Sequence, residues 1–279
     1  VRQPAWRGRQ VSNAGQQTCP FLSGIGRCVL AAMASSRSRR FILWFEEIGA
    51  DDAPLVGSKN ALLGEVMRHL GRRGVRVPQG FVVTAQAYRH LVREAGLLSD
   101  LKRVLNGLDP RDPDGLALKA KQARDLFFRA RFPSNLETEI AKAYWKLCSR
   151  TGSGEMPAAV WANIVGEPTS EAPAGLHDSL LNIRGEYAIL DACRRSFASL
   201  FTGRAVAELV ARQIDPLGSM LALGVQRMVR SDAACSGRMT GFDPCSGFPD
   251  VIVVQGAYGV WGPTAEDGAN PDEFFVHKQ

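Results

Sequence analysis

No run of apolar residues in this chain approaches the ~20 needed to cross a bilayer as a helix, so no helical membrane span is expected among these residues. Six cysteines (Cys19, Cys28, Cys148, Cys193, Cys235, Cys245) form no C-x-x-C pair and show no zinc-like spacing. A stapled or zinc-built scaffold is therefore not indicated, and reduced thiols in a cytoplasmic protein are the expectation. Internal repeats are absent. Residues 1–45 lack aspartate, glutamate and lysine altogether, yet hold seven arginines. That segment carries +7, which leaves −1 for the remainder of a chain whose formal net charge is +6. The basic balance is thus a property of one end. An arm that binds nucleic acid interleaves aromatics with its basic residues, and residues 1–32 hold only Trp6 and Phe21, so no nucleic-acid partner is expected.

What is present is ordinary for a soluble globular chain: 279 residues, 45% hydrophobic and 22% charged, enough for one large or two modest domains. Leu62, Leu63, Val66, Met67 and Leu70 recur at helical spacing, and Gly71 and Gly74 end the run. Phe81-Val-Val83 reads as a short buried strand, with Thr84 placed to cap a helix that continues through Leu91 and Val92 to Gly96. Helical patterns follow from Asp114 to Phe132 and from Ser134 to Cys148. Ser134 and Glu137 have the spacing of a capping box, and Leu136, Ile140, Tyr144 and Leu147 fall on one core-facing side.

Thr151-Gly-Ser-Gly-Glu-Met-Pro157 is a loop by composition and divides a helical first part, 33–150, from a strand-rich second part, 151–279. In the second part a short strand at Ala159-Val160 leads into an irregular loop to Gly175. A long helix-prone run from Tyr187 to Ile214 follows, then strands at Leu221–Val229, Val251–Val254 and Phe274–Val276. The fold class expected is α+β.

Val56-Gly-Ser-Lys-Asn-Ala-Leu-Leu-Gly-Glu65 carries the chemistry. A lysine in a small turn before an amphipathic run sets a cation beside the free N–H groups of a helix N-terminus, where a polyphosphate can be held. The spacing is not that of a Walker A loop, and the same residues also fit a plain capped turn.

Five blocks together carry a resemblance. They are the lysine stretch, Gly74-Val-Arg-Val-Pro-Gln-Gly-Phe-Val-Val-Thr84, Phe197-Ala-Ser-Leu-Phe-Thr-Gly-Arg-Ala205, Gly224-Val-Gln-Arg-Met-Val-Arg-Ser-Asp232 and Asn270-Pro-Asp-Glu-Phe-Phe-Val-His-Lys278. In this order they resemble the phosphoenolpyruvate synthase and pyruvate phosphate dikinase family, from roughly Phe41 onward with a divergent middle. The resemblance implies an ATP-grasp-like nucleotide-binding domain that uses ATP and Mg. Lys59 would contact phosphate, Gln226 with the backbone of Met228 and Val229 would border the adenine, and Glu167 would survive from an acidic pair. Gln226 equally fits a solvated strand position, and Glu167 a solvated loop. Met33-Ala-Ser-Ser-Arg resembles the start of bacterial members. Residues 1–32 are accordingly expected to be an extension whose removal leaves the fold unchanged, with equal thermal melts for the two lengths as the check.

Departures from the family pattern are specific. Ala159-Val-Trp-Ala-Asn-Ile-Val165 stands where the family has an arginine and hydroxyls that grip the triphosphate. Trp161 supplies neither forked donors nor a permanent charge. At Gly259-Val-Trp-Gly-Pro-Thr264, Trp261 replaces a glycine and Gly262 a glutamate. Arg238 and Thr240 interrupt a strand that is apolar in the family.

The family's metal-binding carboxylate and glutamine, its phosphohistidine domain and its pyruvate-binding barrel have no counterpart here, and His69, His90, His177 and His277 lie outside its phosphohistidine motif. The resemblance therefore implies a C-terminally truncated domain that binds a nucleotide weakly, meets pyruvate only through absent domains, and is inactive alone. Two alternatives stand beside it: a degenerate nucleotide-fold module without activity, and an ATP-binding domain of the antibiotic phosphotransferase kind.

Overall fold

The computed structural model describes residues 39–109, 111–152, 154–165, 179–259 and 271–278. Five strands, β1 (Ile42–Trp44), β2 (Gly80–Val83), β3 (Ala158–Val165), β4 (Leu180–Ile183) and β5 (Met220–Arg227), form one sheet in the order β1-β2-β5-β3-β4. Every neighbouring pair is antiparallel. This sheet joins strands from both sides of residue 150. A second sheet of three antiparallel strands, β6 (Cys235–Thr240), β7 (Val251–Tyr258) and β8 (Asp272–His277), forms in that order.

Because side chains alternate across a strand, the five-stranded sheet buries two faces. One carries Ile42, Phe81, Val83, Val160, Leu221, Leu223 and Val225 into the main core. That core is shared with helices α3 (Ala85–Glu94), α4 (Leu97–Val104), α5 (Pro113–Arg129), α6 (Ser134–Arg150), α7 (Glu186–Ala198) and α8 (Gly203–Ala211). The opposite face carries Leu43, Val82, Trp161, Val165 and Ala222 into a smaller core under α1 (Ala53–Val56) and α2 (Ser58–Leu70).

Helix α2 packs by its small residues. Asn60, Ala61 and Gly64 are buried and Leu63 and Met67 pack half-buried against the smaller core, whereas Leu62 is 57% exposed, so only part of the apolar stripe read from the sequence faces inward. Tertiary closeness decides this. A Cβ at Gly64 would lie 2.4 Å from the Ile48 carbonyl oxygen, and only glycine allows that approach.

Other sequence expectations need correction. Thr84 sits at the N-cap of α3, but its hydroxyl donates to the Arg40 carbonyl (2.8 Å) instead of capping. Ser134 is the first residue of α6, one position too late for a capping box, and Pro133 holds the cap position with no side-chain bond. The run from Tyr187 breaks at Thr202, whose hydroxyl accepts from Ala205 N (3.1 Å) and starts α8. Strand β3 runs through Val165, where a loop was expected, because all eight of its residues pair with β5. Arg238 does not interrupt β6: it donates to Gln255 Oε1 (2.7 Å) on the paired strand, at the exposed surface.

Leu136, Ile140, Tyr144 and Leu147 are all fully buried, as their spacing implied. Tyr144 also does polar work: its hydroxyl donates to the Met156 carbonyl (2.9 Å) and accepts from Gly185 N (2.9 Å). It thereby ties the loop before β3 to the start of α7. Tyr144→Phe is expected to lower unfolding stability by ~1–3 kcal/mol, since it leaves two buried backbone groups unpaired. Urea denaturation checks this, and an unchanged midpoint would show that water replaces both bonds.

Candidate functional site

Gly57 has φ 79° and ψ 153°, a conformation that only glycine adopts cheaply, and it turns the chain sharply from α1 into α2. The N-terminus of α2 then faces β3, with no side chain capping it and no acid in its first turn. Uncapped first-turn N–H groups seek an acceptor. Lys59 lies within this turn, one position past the helix start. The residue as a whole is exposed, yet burial around its ammonium lowers its pKa, and no carboxylate pairs with it among the described residues. Its Nζ lies 5.2 Å from the centroid of the Trp161 ring, in cation–π range.

Trp161 is a core residue, 6% exposed. Its ring stacks on Phe45 at 6.3 Å and lies so tightly over Gly224 on β5 that a Cβ there would come within 2.4 Å of it. Its Nε1 donates to Asn60 Oδ1 (3.1 Å), and Asn60 Nδ2 donates to the Val56 carbonyl (2.7 Å). A buried ladder thus links α1, α2 and β3. Two positions along β3, Asn163 points the same way and crowds Gly57; its Nδ2 is buried and has no hydrogen-bond partner among the described residues. An ammonium, a helix N-terminus and an unused amide donor thus converge, with no negative charge among them. Such a constellation suits an anion.

Gln226 shares this sheet face, since it pairs with Ala159 on β3 and lies two residues beyond Gly224. Its Nε2 donates to the Pro78 carbonyl (2.8 Å). Met228 and Val229, expected within the strand, lie just past its end at Arg227. The Met228 amide is already committed to the Pro157 carbonyl (2.9 Å), so it is not a free donor, whereas Val229 N–H has no partner among the described residues.

Met228 and Val229 line a cavity of about 770 Å³ together with Met67, Val75, Val77 and Pro78. Lys59 and Gln226 do not line it. Glu167, Trp261 and Gly262 lie outside the described residues. Sequence reasoning missed Asn60 and Asn163. The spacing of Asn163 from Trp161, two residues along one strand, would have placed it on the site face had the strand been recognised.

Residues 53–279 match the family described as pyruvate phosphate dikinase, AMP/ATP-binding domain. The chain belongs to this family. Phosphoenolpyruvate synthases are its relatives: that of Synechocystis sp. is 40% identical over 85% of this chain, that of Pseudomonas aeruginosa 39% over 85%, and that of Escherichia coli 36% over 88%. The chain spans only about 30% of the length of these relatives. Within the family's AMP/ATP-binding domain, the anion-seeking cluster at Lys59 and the cavity at Met228 occupy the parts of the chain that match.

Proposed function

We propose that this chain is the N-terminal, ATP-grasp-like ATP-binding part of a phosphoenolpyruvate synthase, which converts ATP, pyruvate and water to phosphoenolpyruvate, AMP and phosphate. The observation that carries the reading is the uncompensated donor set of Lys59, the α2 N-terminus and Asn163 on the sheet face that also holds Gln226. Phosphates of ATP would take these donors, and the adenine would lie toward Val229 N–H and the apolar wall of Met67 and Met228. Phosphoryl transfer asks mainly for placement and charge neutralisation, and these side chains supply both. The described residues hold no group of three acidic, histidine or cysteine side chains able to bind a metal.

Trp161 favours a second reading, a module that binds nucleotide weakly or not at all. It fills with packed indole the place where a guanidinium would reach the phosphates, and loss of one charge-assisted contact costs ~1.5–3 kcal/mol, roughly ten- to a hundredfold in affinity. Calorimetric titration with Mg-ATP separates the two. Under the first reading binding is measurable though weaker than low micromolar, and Lys59→Ala lowers it a further ten- to hundredfold. Absence of any heat would leave the binding-deficient module, and binding unaltered by Lys59→Ala would remove Lys59 from the site.

A further inference from the structure

A second cavity, of about 670 Å³, opens between α3, α4 and the segment that leads into β5. The helices that frame it pack on the sheet face opposite the one that carries Trp161 and α2, so it is separate from the candidate nucleotide site. Its floor is apolar, made by Val92, Leu98, Leu217 and Met220, with Leu98 45% exposed. No aspartate or glutamate lines it.

Two polar groups in this wall lack partners. Tyr88 is only 5% exposed, yet its hydroxyl has no hydrogen bond among the described residues. Burial pushes the pKa of that phenol upward, so it stays a neutral donor. Lys102, on the rim, has neither an ion pair nor a hydrogen bond among the described residues. Its neighbour Arg93 differs, being neutralised by Glu94 at 2.9 Å. The phenol oxygen is not one of the fully buried polar atoms left without a partner, so it opens to the cavity and can donate to a ligand there. Few convergent polar groups over an apolar floor are also the usual anatomy of a small-molecule pocket.

We propose that this cavity is a binding site for a small organic carboxylate with an apolar body, whose carboxylate accepts from Tyr88 Oη and pairs with Lys102 while the body lies on Leu98, Leu217 and Met220. One uncompensated ammonium and one neutral donor match a monoanion. Arg89, which also lines the cavity, is engaged with Met220 Sδ (3.3 Å), so Lys102 is left as the cation open to a ligand.

The test is calorimetric titration of the chain with naphthoate and, separately, with its neutral counterpart naphthyl methanol. Naphthoate is expected to bind at one site, about tenfold or more tighter than the alcohol. Lys102→Glu, an exposed change that leaves the fold intact, is expected to weaken naphthoate about tenfold or more without altering the alcohol. Tyr88→Phe is expected to weaken it severalfold with circular dichroism unchanged, and Lys59→Ala and saturating ATP are expected to have no effect. Equal binding of acid and alcohol, indifference to Lys102→Glu, competition by ATP, or no saturable binding would each overturn the proposal.

Discussion

Trp161→Ala is expected to lower the unfolding free energy by ~3–5 kcal/mol, the usual cost of deleting a large buried aromatic. The indole stacks on Phe45, lies flat over Gly224 and holds Asn60 Oδ1, so its removal opens a void and leaves a buried amide oxygen unpaired at once. Trp161→Phe keeps much of the volume but not the N–H, and is expected to lose ~1–3 kcal/mol. Equilibrium urea denaturation of the three proteins measures both steps. Equal midpoints for all three would mean that the smaller core carries little of the stability. Trp161→Arg separates packing from function: it is expected to gain affinity for Mg-ATP while losing stability, because the guanidinium enters a pocket shaped for indole.

Stability is next expected to fall as pH rises above about 9. Burial pushes the Cys193 thiol up from 9.0 to about 12 and, as the largest influence, the Tyr144 phenol up from 10.0 to about 12. Below pH 9 both groups are protonated in folded and unfolded chains alike and contribute nothing to the slope. Above it the unfolded chain releases protons that the folded chain retains, so the unfolded state binds fewer and stability drops. Cys193 alone gives ~1.4 kcal/mol per pH unit between 9 and 12, and Tyr144 adds to the fall above 10. Denaturant midpoints at half-unit steps from pH 8 to about 10.5 check the slope. In Cys193→Ala the absolute midpoint is lower, but the decline between pH 9 and 10 is expected to flatten. Parallel declines in both proteins would assign the alkaline loss to other groups.

The family and the position of Lys59 were legible in the sequence, because both rest on local runs of residues that keep their order. The α+β class was legible for the same reason, and so was the inward side of α6, where large apolar residues at helical spacing leave one packing solution. What escaped were features set by partners distant in sequence. Strand β3 looks irregular alone and becomes regular only when β5, about sixty residues later, pairs with it. Trp161 read as a lesion in a phosphate loop; the structure makes it the centre of a small core, since Gly224 leaves room for its ring. The caps at Thr84 and Ser134 failed by one competing bond and one residue of offset, differences that local propensity does not resolve.

In helix α2 hydrophobicity and constraint part company at particular positions. Its leucine at position 62 faces outward, while Asn60, Ala61 and Gly64 are its most buried residues, flanked by the half-buried Leu63 and Met67. In a saturation library across this helix, polar replacements should therefore survive at Leu62, whereas almost nothing should survive at Gly64, where any added atom meets the Ile48 carbonyl. The most buried positions of this helix are small or amide residues, so an alignment of tolerated variants would trace them as a restricted stripe beside Leu63 and Met67.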